Sequence, residues 1–329
     1  MEPVPHGGDL GEARRLFPGA REPWIDLSTG INPVPYPVPP LPPESFTRLP
    51  APAEVAALEA AAAAAYGVTL AEVAAAPGTQ ILIGLLPRLL ARPDRPVAVI
   101  GPTYAEHAAA WRRAGHAVAE VTAPEAVGDA AVVMLVDPNN PDGRRIGRDV
   151  TARLAASCAA CGGFLIVDEA FADLETPAGL GAARPPATVV LRSFGKTYGL
   201  AGLRLGFALA EPAVAARVRD ELGPWAVSGP AIAIGRRALA DAAWLREAAV
   251  ARAAEAARLD ALLVAAGGRV VGGTRLFRTA DFADAPALFE RLGRGGVWVR
   301  RFAAAPVRLR FGLPSDEAAW ARLAGGLRG

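Results

Sequence analysis

A single lysine, Lys196, stands among the 35 basic residues of this chain. A coding bias toward arginine and alanine is the plain cause, and it makes the surviving lysine informative. At the surface a lysine exchanges for arginine at little cost. A lysine needed as an amine nucleophile does not, because guanidinium stays protonated and cannot condense with an aldehyde. Cysteine is nearly as scarce. Cys158 and Cys161 are the only two, spaced C-x-x-C. Zinc wants four ligands and no second Cys/His cluster accompanies them, so no metal site is expected. The pair falls in the helical pattern Thr151–Cys161 and reads as two small residues near a helix end.

Charge of one sign is also lacking. The balance is 35 cations to 33 anions, net +2, so no field argues for a nucleic-acid or anionic-membrane partner. No apolar run approaches the roughly 18 residues of a membrane-spanning helix. The first residues, MEPVPHGGDLGE, have neither the basic start nor the apolar stretch of a secretory signal. A soluble, cytoplasmic protein is the expectation. Its 52% hydrophobic and 21% charged residues are an ordinary globular balance, and 329 residues suit one large domain plus a smaller one.

The proline-dense segment Asn32–Pro43 (NPVPYPVPPLPP) cannot be helix or central strand and should be an extended arm packed on something else. A helix is expected over Ala53–Tyr66. Beyond it, apolar runs at Val97–Ile100, Val132–Val136, Phe164–Val167, Thr188–Leu191 and Leu205–Leu209 read as buried strands. Helical patterns at Thr79–Leu90, Tyr104–Ala114 and Val150–Ala160 lie between several of them. This alternation predicts an α/β fold with a largely parallel sheet covered by helices. Ala242–Ala266 reads as a long helix leading into a second unit, which closes on a helix over Asp316–Leu327.

Sites in parallel α/β sheets gather outside the carboxyl ends of strands. Ser193-Phe194-Gly195-Lys196 follows one such strand. There Ser193 can offer a hydroxyl to a phosphate, and Arg204 a guanidinium fork. S-x-x-K also occurs in serine β-lactamases, but these need a K-T-G element, and the only K-T here is followed by Tyr198. Asp168 ends another apolar run. A buried acid needs a partner, either a following helix N-terminus or the protonated pyridine nitrogen of pyridoxal 5′-phosphate (PLP). Asp137-Pro138-Asn139-Asn140-Pro141-Asp142-Gly143 is sufficient as turn chemistry, yet it borders the same mouth, where Asn140 can donate to the PLP phenolic oxygen. Gly78 and Thr79 open a helix and can present backbone N–H groups to a phosphate. Tyr104 follows a strand and can stack on a flat ring or be an ordinary half-buried aromatic. The order of these signals is more specific than any one of them.

That order resembles the fold-type-I PLP-dependent aminotransferase family, and within it the histidinol-phosphate aminotransferase branch, over nearly the whole chain. His6-Gly7-Gly8-Asp9, Leu27-Ser28-Thr29-Gly30-Ile31-Asn32-Pro33, Pro224-Trp225-Ala226-Val227-Ser228 and Leu309-Arg310-Phe311-Gly312-Leu313-Pro314 are similar to the L-threonine-O-3-phosphate decarboxylases of cobalamin biosynthesis. The resemblance implies a mainly parallel large domain (44–222), and an N-terminal arm with a smaller α+β domain (1–43 and 223–329). It implies a homodimer acting on a small phosphorylated amino acid. Lys196 would be the Schiff-base lysine and proton shuttle, Asp168 the pyridine partner, Asn140 the phenolic-oxygen contact and Tyr104 the stacking ring. Gly78, Thr79, Ser193 and Arg204 would bind the cofactor phosphate. Arg310 would hold the substrate carboxylate, with Arg308 competing for that role. His6 and Arg300 would meet the substrate phosphate, and Gly30 and Asn32 would line the site.

Leu49 and Phe171 stand where the family usually has tyrosines, and Gln80 stands at a variable, often acidic position. The implied reaction is decarboxylation of L-threonine O-3-phosphate. Amino transfer from histidinol phosphate is the alternative, with the same cofactor and a different bond broken at Cα. A catalytically silent relative would have no use for the Lys196–Asp168–Asn140 set.

Overall fold

The computed structural model describes residues 7–92, 95–175 and 179–328. They fall into two compact units, one of Tyr36–Asn140 and Arg145–Arg246, the other of Met1–Pro35, Pro141–Arg144 and Glu247–Gly329.

The larger unit is built on seven strands: β1 (Val73–Ala76), β2 (Val97–Ile100), β3 (Val118–Val121), β4 (Val132–Val136), β5 (Phe164–Asp168), β6 (Thr188–Ser193) and β7 (Gly206–Leu209). Their order is β1-β7-β6-β5-β4-β2-β3. The run β6-β5-β4-β2-β3 is parallel. β7 runs against both neighbours. The link from β6 to β7 carries no crossover helix, only the short turns Phe194–Thr197 and Ala201–Leu203, so the chain doubles back. β1 and β3 were not evident in the sequence. β1 is Val-Ala-Ala-Ala, almost without β-branched residues, and β3 is a partly exposed edge carrying Glu120.

Alternate residues of each strand point to opposite faces. Val133 and Leu135 of β4 join one apolar cluster, with helices Pro52–Tyr66, Arg148–Ala160 and Gly229–Ala240. Val132 and Met134 join another, with helices Thr79–Leu90 and Pro212–Leu222 and with Trp111 of helix Glu106–Arg113. Both faces are covered, which is why the strands read as continuous apolar runs.

The proline-rich arm packs as expected on this unit. Tyr36 is buried, donates its backbone N–H to Tyr198 O (2.8 Å) and meets the rings of Tyr198 and Trp244 edge-on. The division between the units differs from the expected ranges 44–222 and 1–43 plus 223–329. Gly223-Pro224 looks like a boundary, but Ile232, Ile234 and Leu239 of the following helix share the cluster of Leu58 and Tyr66. That apolar face keeps the chain in the larger unit through Arg246.

The smaller unit has four antiparallel strands, β8 (Arg269–Thr274), β9 (Phe277–Asp281), β10 (Arg300–Arg301) and β11 (Arg308–Gly312), in the order β10-β11-β9-β8. Helices Ala285–Arg294 and Glu317–Arg328 and the second half of Ala242–Ala265 supply its core with Leu292, Leu323 and Leu259. The turn Pro141–Arg144 belongs here, and Thr279 Oγ1 donates to Pro141 O (2.5 Å). Cys158 is buried and Cys161 half-buried, both as free thiols. Burial pushes the Cys158 thiol up to about 11. Among the described residues no helix is long and apolar enough to cross a membrane.

Candidate active site

Parallel strands β4, β5 and β6 lie side by side, with Val136, Asp168 and Leu191 in register. Their carboxyl ends therefore deliver three segments to one edge: the Asn139-Asn140 turn, Asp168, and Ser193–Lys196.

Asp168 is only 3% exposed. A bare carboxylate at that depth is costly, and two groups answer it. Ala170 N–H donates to Oδ1 (3.0 Å), and His107 Nε2 lies 2.9 Å from Oδ2. His107 sits in the first turn of Glu106–Arg113 and is 1% exposed. Its Nδ1 has no hydrogen-bond partner among the described residues. The neutral tautomer protonated at Nε2 satisfies this environment, since an imidazolium would bury an unmatched N–H. His107 was missed in the sequence. Its signal was the spacing of three residues from Tyr104 at a helix start.

Tyr104 stands against His107 edge to face, with centroids 5.9 Å apart. Its hydroxyl donates to Gln80 Oε1 (2.9 Å). The turn before it is tied to the β4 exit by buried Asn139, which accepts from Thr103 Oγ1 (2.6 Å) and donates to Pro102 O (3.0 Å). Asn140, half-buried, follows directly.

Gly78, Thr79, Ser193 and Arg204 also come together. Gly78 has φ +91, and a Cβ there would lie 2.6 Å from Arg204 Nη2. Arg204 itself takes a left-handed backbone (φ 56) and donates Nη1 to Ala201 O (3.0 Å). Ser193 pairs with Gly206 across β6 and β7, and a Cβ on Gly206 would lie 2.8 Å from Thr79 N. The Ser193 hydroxyl makes no helix-cap hydrogen bond. The Gly78 N–H, expected to face a phosphate, is instead donated to Ala76 O (2.7 Å). The N–H groups of the first turn of Thr79–Leu90, a hydroxyl and a guanidinium make up a donor set suited to a phosphate.

Lys196 is half-buried, with Nζ 6.0 Å from the centroid of the Phe171 ring. Behind its turn lies a charged group that the sequence analysis passed over. Arg192, 0% exposed, pairs with Glu169 Oε2 (2.5 Å) and with Asp173. It also lies 4.4 Å from the centroid of the Tyr66 ring. Burial pushes both carboxyls above the usual carboxylate range, and Arg192 pulls them back. The Thr197 hydroxyl, next to Lys196, also pulls the Asp173 carboxyl down. An arginine inside the apolar run Thr188–Leu191-Arg192 was the available signal.

The remaining candidates lie in the smaller unit. Arg310 is 6% exposed, donates Nη2 to Ser28 O (2.6 Å) and lies over Phe277. Burial, with Arg300 adding repulsion, brings its guanidinium down to about 10. Arg300 is its register partner across β10 and β11, and like charges facing each other favour an anion between or beside them. Arg300 also lines a cavity of about 650 Å³ with Ser28, Arg301 and Phe302. Arg308 is engaged elsewhere, in a two-pronged pair with Asp281 (2.7 and 3.1 Å). Asn32 is buried and accepts at Oδ1 from Arg252 Nη1 (3.0 Å) and Val34 N (3.1 Å). Gly30 is buried. His6 lies outside the described residues.

A buried acid held by a histidine, a half-buried lysine, a fixed aromatic ring and a phosphate cradle at the strand ends suit a PLP-type cofactor: pyridine nitrogen, aldehyde carbon, ring face and phosphate each have a chemically matched group. The fold is that of an α/β enzyme, and the sheet brings Asn140, Asp168 and Lys196 to one carboxyl edge. The chain belongs to the class I and II aminotransferases, whose family model matches residues 42–325. It is 42% identical to a threonine-phosphate decarboxylase of Pseudomonas aeruginosa, over 98% of this chain and 97% of that one. It is also 42% identical to one from a Sinorhizobium species, over 99% and 98%. The structure of histidinol-phosphate aminotransferase from Sinorhizobium meliloti, solved with pyridoxal-5′-phosphate, superposes with a TM-score of 0.79 at 23% identity, covering 99% of this chain and 95% of that one.

Proposed function

We propose that the chain is a PLP-dependent lyase that decarboxylates L-threonine O-3-phosphate to (R)-1-amino-2-propanol O-2-phosphate, a step of cobalamin biosynthesis. The observation that carries this reading is the 42% identity to threonine-phosphate decarboxylases over nearly the full length of both partners.

PLP, when bound, supplies an aldehyde for the amine and an electron-accepting ring for charge developing at Cα. The protein's part is to hold and to orient. The Lys196 amine is the covalent anchor. Asp168, its second oxygen engaged by His107, keeps a positive charge on the pyridine nitrogen. Gly78, Thr79, Ser193 and Arg204 hold the cofactor phosphate, Tyr104 covers one ring face and Asn140 donates to the phenolic oxygen.

Arg310 would bind the substrate carboxylate and so orient the bonds at Cα. Arg308 is already paired with Asp281, which supports Arg310 over it. Arg300, His6, Gly30 and Asn32 line the substrate's phosphate end. The Cα–carboxylate bond breaks, carbon dioxide leaves, and Cα gains one proton, which Lys196 delivers.

The enzyme works as a cytoplasmic homodimer. Phe46 and Leu49, 69% and 67% exposed, and exposed Trp225 leave large apolar side chains on the larger unit that a second copy could cover. Sedimentation that gives a fully active monomer would refute the dimer.

The decisive assay offers O-phospho-L-threonine alone and measures carbon dioxide. Stoichiometric release supports the reading. No release, together with amino transfer from glutamate to imidazole-acetol phosphate, selects the aminotransferase.

A further inference from the structure

Gln80 is the second residue of helix Thr79–Leu90, and its amide is spoken for at both ends. Nε2 donates to Glu106 Oε2 (3.1 Å), and Oε1 accepts from the Tyr104 hydroxyl (2.9 Å). Glu106 is buried and takes a second bond at the same oxygen from Arg113 Nη2 (3.0 Å). A carboxylate paired with arginine only accepts, so the Gln80 group facing it must be the NH₂. The carbonyl then faces Tyr104, and the phenol must donate. The direction of the whole chain is set by the Glu106–Arg113 ion pair.

We propose that Gln80 is a positioning residue that fixes the Tyr104 ring over the cofactor by relaying the Glu106–Arg113 pair to the phenol. The proposal rests on the reading of Tyr104 as the stacking ring. The ring is held at two places, at its hydroxyl by Gln80 and at its face or edge by His107, whose own Nε2 is on Asp168. The stack and the pyridine partner thereby belong to one connected frame. A further consequence is chemical. The Tyr104 proton is directed at Gln80, so this phenol serves as a support and not as an acid toward substrate.

The test is PLP titration into the cofactor-free full chain, followed by the visible circular dichroism of the bound cofactor, which reports how the ring is held. Gln80→Leu and Tyr104→Phe should each weaken PLP binding roughly 5- to 10-fold, the effect of one hydrogen bond lost with a half-buried partner left behind. The two should also change the dichroic band alike. The double variant should be no worse than either single one, as expected of residues acting through a single bond. Gln80→Asn, too short to span the gap, should match Gln80→Leu and guards against a folding defect. Cofactor-free variants should melt like the parent.

Additive losses, or a Gln80→Asn chain with parental affinity and dichroism, overturn the relay. Tyr104→Ala separates the two readings. If it weakens PLP strongly while the Gln80 variants do not, only the relay falls. If it changes neither affinity nor dichroism, stacking and relay fall together.

Discussion

His107 Nε2 and Asp168 Oδ2 are 2.9 Å apart with both side chains buried. One residue comes from the helix after β2, the other from the end of β5, so the bond fixes an acid on the sheet from the helical layer above it. Nδ1 of His107 is unmatched among the described residues, and a proton on Nε2 lets the imidazole donate to Asp168. The bond orients the Asp168 carboxyl.

Removing the charge and removing its support should therefore differ in degree. Asp168→Asn should lower kcat about 10²- to 10³-fold, the scale of losing one preorganised electrostatic partner in a dry site. His107→Leu should cost about 10- to 100-fold, since the charge stays but one charge-assisted hydrogen bond is lost. KM should change little in either. Steady-state kinetics with O-phospho-L-threonine check the order, and a His107 variant as damaged as Asp168→Asn would contradict it.

Lys196 predicts a covalent result. Borohydride reduction of the PLP-loaded protein should leave one cofactor attached, on the peptide containing Lys196. Lys196→Ala and Lys196→Arg should leave none, because neither side chain condenses with an aldehyde at neutral pH. Intact-mass spectrometry reads the difference, and attachment elsewhere on the Lys196→Ala chain would sink the assignment.

Much of this was legible in the sequence for a physical reason. Strands buried on both faces are continuous apolar runs, so β2 and β4 were located to the residue. The chemistry-bearing residues follow directly at the strand ends. What stayed hidden depends on contacts between distant segments. Gln80 and Glu106 meet across 26 positions and His107 and Asp168 across 61, and no local period encodes such pairs. The proposed choice of Arg310 over Arg308 likewise rests on a distant contact, Asp281 opposite Arg308 in β9 and β11.

That choice yields a split between binding and stability. Arg310→Gln should raise KM for O-phospho-L-threonine about 30- to 1000-fold, the cost of leaving a bound charge without its partner. Arg308→Gln should leave KM near the parental value and alter acid stability instead. The Arg308 guanidinium holds the Asp281 carboxyl below its usual range. A depressed carboxyl stabilises the fold above its unfolded pKa, about 3.9, and that stability is lost as pH falls through the lower folded value. The parent and Arg308→Gln should thus differ in Tm at pH 5 and converge toward pH 2.5. Thermal melts across that range decide the matter, and a constant gap would assign Arg308 another role.

The buried group behind Lys196 makes the strongest stability prediction. Arg192 is fully enclosed with Glu169 and Asp173 as its partners. Removing it leaves two carboxyls in a dry site with no cation, so Arg192→Leu should cost about 3–5 kcal/mol. The sign of its pH dependence follows from the carboxyls. Burial raises both above their usual range even with Arg192 present, and without it they rise further. A carboxyl whose folded pKa is raised takes up a proton on folding. Its penalty is small near the unfolded value and grows as pH climbs toward the folded one. Urea unfolding of the cofactor-free chain should therefore show a larger loss for Arg192→Leu at pH 8 than at pH 5. Pairing it with Asp173→Asn should recover part of that loss, because one of the two stranded charges is gone while the side chain keeps its size. A loss independent of pH, or a double variant less stable than the single one, would mean that Arg192 stabilises by packing and not by neutralising these two acids.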